Sequence, residues 1–167
     1  MKYRQLDTIK SIQPGKSLTG TRTLRADEEH LLDHFPRFPV MPGVMMLEAL
    51  HQAAIWLVRS GDNFQTPLVL LREVRSVKFG EFLAPGETLD ITAETIKTDG
   101  DFTTIKASAK KGDKVTVSAR LIIEKCKTGD CDRIGTDEEV RRCTEEQFQE
   151  LFGDDAVNLV KDSMQTT

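Results

Sequence analysis

Between Val44 and Val58 only Glu48, His51 and Gln52 interrupt a run of apolar residues. A helix that is apolar almost all the way round is buried inside a protein or crosses a membrane. A span needs about 20 apolar residues, so this shorter, interrupted stretch is expected to form a central core helix. The remaining elements must then be arranged around it.

The flanking sequence supplies strands. Tyr3–Ile12 and Ser17–Leu24 read as strands on either side of the turn dipeptide Pro14-Gly15, and Asp27–Leu32 as one short helical turn. Beyond the helix, Thr66–Gly80 shifts its apolar phase around Arg75, as a β-bulge would require. Pro85-Gly86 marks a turn, after which Leu89, Ile91 and Ala93 alternate with polar residues at the period of a half-buried strand. Asp99-Gly100 and, more weakly, Gly112-Asp113 are hairpin signals leading into Phe102–Lys110 and Val115–Ile123. Strands joined by short turns pair antiparallel. The expected class is therefore α+β, a curled antiparallel β-sheet around a long central helix.

The chain has 167 residues, 38% hydrophobic and 30% charged, which fits one globular domain. Its net charge of −4 argues against a nucleic-acid partner, and the pattern offers no membrane span. Cys126, Cys131 and Cys143 cannot all pair with one another, which suggests a reducing compartment. Asp7 lies in the only weakly apolar stretch near the N-terminus, so no signal segment is read there and a cytoplasmic location is expected. Residues 1–125 are read as the main domain and 126–167 as an acidic, partly helical extension. Thr136-Asp137-Glu138-Glu139 and Thr144-Glu145-Glu146-Gln147 both match a capping box, and Phe148, Leu151 and Phe152 are the expected docking residues.

The polar stripe on the helix carries the chemistry. Positions 48, 51 and 52 are three and four apart and share one face. A buried carboxylate must be paired, hydrogen-bonded or protonated. Glu48 is thus either a satisfied core residue bonded to Gln52 or the backbone, or an acid of raised pKa that donates a proton. Spacing alone leaves both open. The preceding segment, His34 to Gly43, is stiffened by Pro36, Pro39 and Pro42 and runs into the helix start, where unpaired amides and the positive dipole end gather. Gly43 lets a ligand oxygen approach those amides. A histidine, helix amides and a buried carboxyl are the parts needed to abstract a proton beside a carbonyl.

His34-Phe35-Pro36, Pro39-Val40-Met41-Pro42-Gly43-Val44, Leu47-Glu48-Ala49-Leu50 and Gln52 closely resemble the signature of the FabZ-like 3-hydroxyacyl-acyl carrier protein dehydratases. Val77-Lys78-Phe79 with Leu83-Ala84-Pro85-Gly86-Glu87 resembles a second landmark of that family, and the likeness covers about residues 15 to 125. The resemblance implies the hot dog fold and the syn elimination of water from a 3-hydroxyacyl thioester in fatty acid biosynthesis. By match to the motif, His34 would abstract the C2 proton and Glu48 would protonate the leaving hydroxyl. The Gly43 amide would receive the thioester oxygen, and Gln52 would support Glu48. It also implies a homodimer with shared active sites, further assembly to hexamers, and a substrate on the phosphopantetheine of acyl carrier protein or coenzyme A. No metal or organic cofactor is needed.

Asp33 and Arg37 replace the glycines that flank His-Phe-Pro in the family, and His51 stands where a small residue is usual. Arg37, His51, Arg72 and Lys78 are candidate substrate or carrier contacts, although ordinary solvated residues would look the same. Arg75 adds positive charge to the same stretch. The rival readings are a thioesterase on the same fold, a non-catalytic acyl-thioester binding subunit, and a zinc site of His30, His34 and Glu48.

Overall fold

The computed structural model describes residues 3–33, 37–126 and 136–165. Strands β1 (Thr8–Gln13) and β2 (Ser17–Thr23) precede the short helix α1 (His30–Asp33) and the long helix α2 (Gly43–Gly61). Strands β3 (Leu68–Phe79), β4 (Thr88–Asp99), β5 (Phe102–Lys111) and β6 (Lys114–Cys126) follow, and helices α3 (Asp137–Phe152) and α4 (Asp154–Gln165) complete the chain.

The six strands form one antiparallel sheet in the order β1-β2-β4-β5-β6-β3. The sheet is open, with β1 and β3 as its edges, and α2 packs against β2 through β6. Alternation selects the face that meets the helix: Leu89, Ile91 and Ala93 of β4 are buried, as are Ile105, Ala107 and Ala109 of β5. Ala93, Ala107 and Ala119 are in register across β4, β5 and β6. On α2, Ala49, Ala53 and Ala54 are buried in the same core. Leu50, Trp56 and Leu57 belong to that core as well. Among the described residues, no helix is long and apolar enough to cross a membrane.

The expected helix is present and extends to Gly61. A Cβ on Gly61 would stand 2.7 Å from Gly15 Cα, so the end of α2 touches the β1–β2 turn backbone to backbone. Gly15 itself has φ 68°, a left-handed conformation that glycine adopts without strain. The bulge is also present: Arg75 pairs with Arg120 and Lys78 with Ser118, leaving one extra residue on β3, with Ser76 at φ 53°.

Two expectations need correction. The first strand starts at Thr8 rather than Tyr3. The Tyr3 carbonyl and Gln5 amide are bound instead by the side chain of Gln52, which makes Tyr3–Asp7 a strap over α2. The Thr136 capping box does open α3, but the Thr144 match lies inside that helix. Its hydroxyl donates to the Val140 carbonyl at 2.8 Å, satisfied without any helix start. The next helix begins instead at Asp154, after Gly153 turns the chain with φ 81°. Both helices share the main core, where the Phe148 ring meets Trp56 edge-on at 5.2 Å and Phe64 at a tilt at 5.1 Å.

Candidate active site

The start of α2 sets the site. Pro42 precedes it and no side chain caps it, so the first amides have no acceptor within the helix. The segment before it is held in place by Met41, whose N–H donates to the Leu83 carbonyl at 2.9 Å. A Cβ on Gly43 would approach the Phe79 ring to 3.0 Å, so glycine allows the end of β3 to close over the helix start. Phe79, Val44, Phe38 and Phe82 remain largely exposed there, and the last two meet edge to face at 5.8 Å.

One turn along, Glu48 accepts from Gln52 Nε2 at 2.9 Å through one oxygen, and its other oxygen lies 3.0 Å from His51 Nδ1. Buried Gln52 also donates to the Tyr3 carbonyl at 2.9 Å and accepts from the Gln5 N–H at 2.8 Å. The amide is thereby locked in one orientation, and Glu48 with it. The shared face read from the spacing is real, and the strap adds partners the spacing does not reveal.

Of the two readings of Glu48, the single chain shows the side chain bonded to Gln52 and not the raised pKa. Burial pushes it up, but the hydrogen bonds from His51 and Gln52 and the charge of His51 outweigh that, and the carboxyl sits below its ordinary value. Its side chain remains 41% exposed, so desolvation is incomplete.

His34, with Phe35 and Pro36, lies outside the described residues, as does Cys131. Arg37 and Lys78 are exposed. Arg72 pairs with Glu124 at 2.8 Å and Arg75 with Glu73 at 2.6 Å, so two of the expected cations already face carboxylates of their own chain. His30 faces Glu28 at 3.7 Å. A cavity of about 510 Å³ opens between the strap, α1 and the first turn of α2, bordered by Gln5, Glu28, His30, Asp33 and Met45.

Glu28 yields a stability prediction. Burial raises its pKa, but the Arg25 N–H, the Arg22 hydrogen bond and the charges of both arginines overcome this and hold it below 4.5. A carboxyl depressed in the folded state stabilises above its unfolded pKa, and that contribution is lost as pH falls through the folded value. Urea midpoints measured on descending from neutral pH should therefore drop more steeply below 4.5 in the wild type than in Glu28→Gln. Parallel curves would rule this out.

Residues 10–120 match the family described as ApeI-like, ApeI dehydratase. The 3-hydroxyacyl-[acyl-carrier-protein] dehydratase FabZ of Levilactobacillus brevis is 36% identical over 116 residues, covering 70% of this chain and 78% of that protein. The FabZ of Clostridium tetani is 33% identical over 117 residues, covering 70% and 82%. Among solved structures, the dehydratase heterocomplex ApeI:P from Xenorhabdus doucetiae superposes with a TM-score of 0.63 at 19% identity, over 77% of this chain and 86% of that one. With more than a third of aligned residues shared with one such enzyme and the same sheet and helix arrangement, the chain belongs to the ApeI-like, FabZ-related hot dog dehydratases.

Proposed function

We propose that this protein eliminates water from a 3-hydroxyacyl thioester carried by acyl carrier protein, giving the trans-2-enoyl thioester. The observation that carries this reading is Glu48, held by Gln52 and His51 one turn inside α2, at the motif position of the dehydratase glutamate. His34, matched to the motif histidine, takes the C2 proton. Charge develops on the thioester oxygen, which the Gly43 amide and the helix dipole stabilise. As the C3–O bond breaks, Glu48 delivers its proton to the departing hydroxyl, and water and the enoyl thioester leave. No metal or organic cofactor enters this scheme.

Glu48 must be protonated for that step. In the open single chain it favours the ionised form, which is the form that takes a proton from water in the hydration direction. A bound acyl chain and an adjoining subunit would remove water from its exposed part, and desolvation is the influence that raises its pKa. The adjoining subunit is a second copy: β3 is a 12-residue sheet edge, and an edge strand is a template for pairing. The sites are then shared across the dimer, and dimers assemble further. Arg37, Lys78 and the less available Arg72 are the candidate contacts for the acidic carrier or its phosphate. His51 limits the slot beside Glu48. The cytoplasm is the location that this reading proposes.

One observation favours a second reading. An ionised Glu48 beside His51 is also suited to direct water at a thioester carbonyl, as a thioesterase would. Crotonyl and 3-hydroxybutyryl thioesters of acyl carrier protein and coenzyme A, followed for enoyl absorbance and free thiol together, separate the two. Interconversion without thiol is the expected result. Thiol release would establish hydrolysis, and silence at several chain lengths a binding subunit.

A further inference from the structure

Arg22 of β2 is 1% exposed, a cation placed in the interior. Its Nε donates to Gln5 Oε1 at 3.0 Å and its Nη2 to Glu28 Oε2 at 2.5 Å; Nη1 donates to the Thr23 carbonyl and lies 3.8 Å from Asp7 Oδ1. A buried ion pair adds little net stability, because desolvation consumes much of the attraction, and an apolar group of similar size often serves as well. What the guanidinium does provide is geometry: a rigid fork that ties separate segments at fixed angles.

Those segments lead to Glu48 on one side and to the turn that forms α1 on the other. On one side is Gln5, whose N–H holds Gln52 Oε1 at 2.8 Å while Gln52 Nε2 holds Glu48 at 2.9 Å. On the other is Glu28, which accepts from the Arg25 N–H at 2.8 Å; its carbonyl accepts from the Leu31 N–H at 3.0 Å. Glu28 thus pins the turn that forms α1, and α1 ends at Asp33, directly before His34.

We propose that Arg22 is a positioning residue for the dehydration, holding Glu48 through Gln5 and Gln52 while Glu28 anchors the guanidinium to the turn that forms α1. The inference rests on the dehydratase reading above. It assigns no contact with substrate to Arg22.

Three variants test it in the full-length protein: Arg22→Lys keeps the charge without the fork, Gln5→Leu cuts the Glu48 arm, and Glu28→Gln weakens the α1 arm. Misplacing reacting groups by about an ångström costs on the order of a hundredfold, so Arg22→Lys should lower kcat by roughly ten- to a hundredfold with KM almost unchanged. Ring signals of the three histidines, followed by two-dimensional NMR, supply a readout that simple loss of stability would not move. Arg22→Lys should displace those of His30 and His51, Gln5→Leu that of His51, and Glu28→Gln that of His30. Wild-type kcat with undisplaced signals in a folded Arg22→Lys would overturn the proposal. If that variant does not fold, Gln5→Leu decides, since its backbone N–H remains and only the tie to Arg22 is lost; full activity and an unmoved His51 would then overturn it. A wild type unable to interconvert the thioesters would defeat the dehydratase reading instead, and the histidine signals would still judge Arg22.

Discussion

Glu48→Gln is expected to lower kcat for dehydration by about 10²–10⁴-fold, the usual contribution of a positioned acid, and His34→Ala by a similar factor. The folded state should survive the first change. An amide at position 48 still accepts from Gln52 Nε2, and because this side chain is 41% exposed its NH2 can turn to solvent. What is lost is the proton for the leaving hydroxyl. Steady-state rates with 3-hydroxybutyryl thioesters, alongside circular dichroism, measure both parts. A folded Glu48→Gln variant with near wild-type kcat would remove Glu48 from the chemistry. Mixing the two inactive variants after co-unfolding and refolding adds a test of the shared site: if histidine and glutamate come from different subunits, mixed dimers regain one intact site and part of the activity returns. No recovery would place both groups in one chain.

Phe148→Ala is expected to have the largest effect on stability, a loss of about 3–5 kcal/mol for a buried aromatic cut back to a methyl. Phe148 is fully buried and lies within stacking distance of Trp56, Phe64 and Phe152, at 5.2, 5.1 and 5.2 Å. Typical domains have about 5–15 kcal/mol in total, so the change would consume a large share. Urea unfolding followed by Trp56 fluorescence reads it directly, since the indole is part of the same cluster. A shift within about 0.5 kcal/mol, as for an exposed residue, would show that α3 does not depend on this contact. The same contact reaches the site: Arg4 lies 5.4 Å over the Phe152 ring and donates to the Leu151 carbonyl at 2.6 Å. The residue next to it, Gln5, is the one that grips Gln52.

Local pattern made much of this architecture readable. An apolar run too short to span a membrane has one inexpensive solution, burial in a core, so α2 could be placed to within a few residues. Two-residue turns with glycine at positive φ, at Gly100 and Gly112, joined β4, β5 and β6 as expected. The Thr144 motif misled because a capping box depends on what precedes it. Here α3 is already under way, and the hydroxyl finds the carbonyl four residues back.

The spacing of Glu48, His51 and Gln52 placed three polar groups on one face, because the helical repeat fixes that relation wherever a helix forms. Position on a face does not determine protonation. The direction of the Glu48 pKa followed from the balance between remaining solvent exposure and the two neighbours that reach its oxygens, and only the folded chain sets that balance. The strap and Arg22 were equally hidden. Gln5 and Gln52 are 47 positions apart and Arg22 and Gln5 are 17 apart, and no periodicity links residues at such separations. Sequence alone determined the elements, their pairing turns and the residue types of the site, since these depend on near neighbours along the chain. Tertiary structure decided which distant polar groups meet around Glu48, because burial forces each of them to find a partner and the topology determines which ones are within reach.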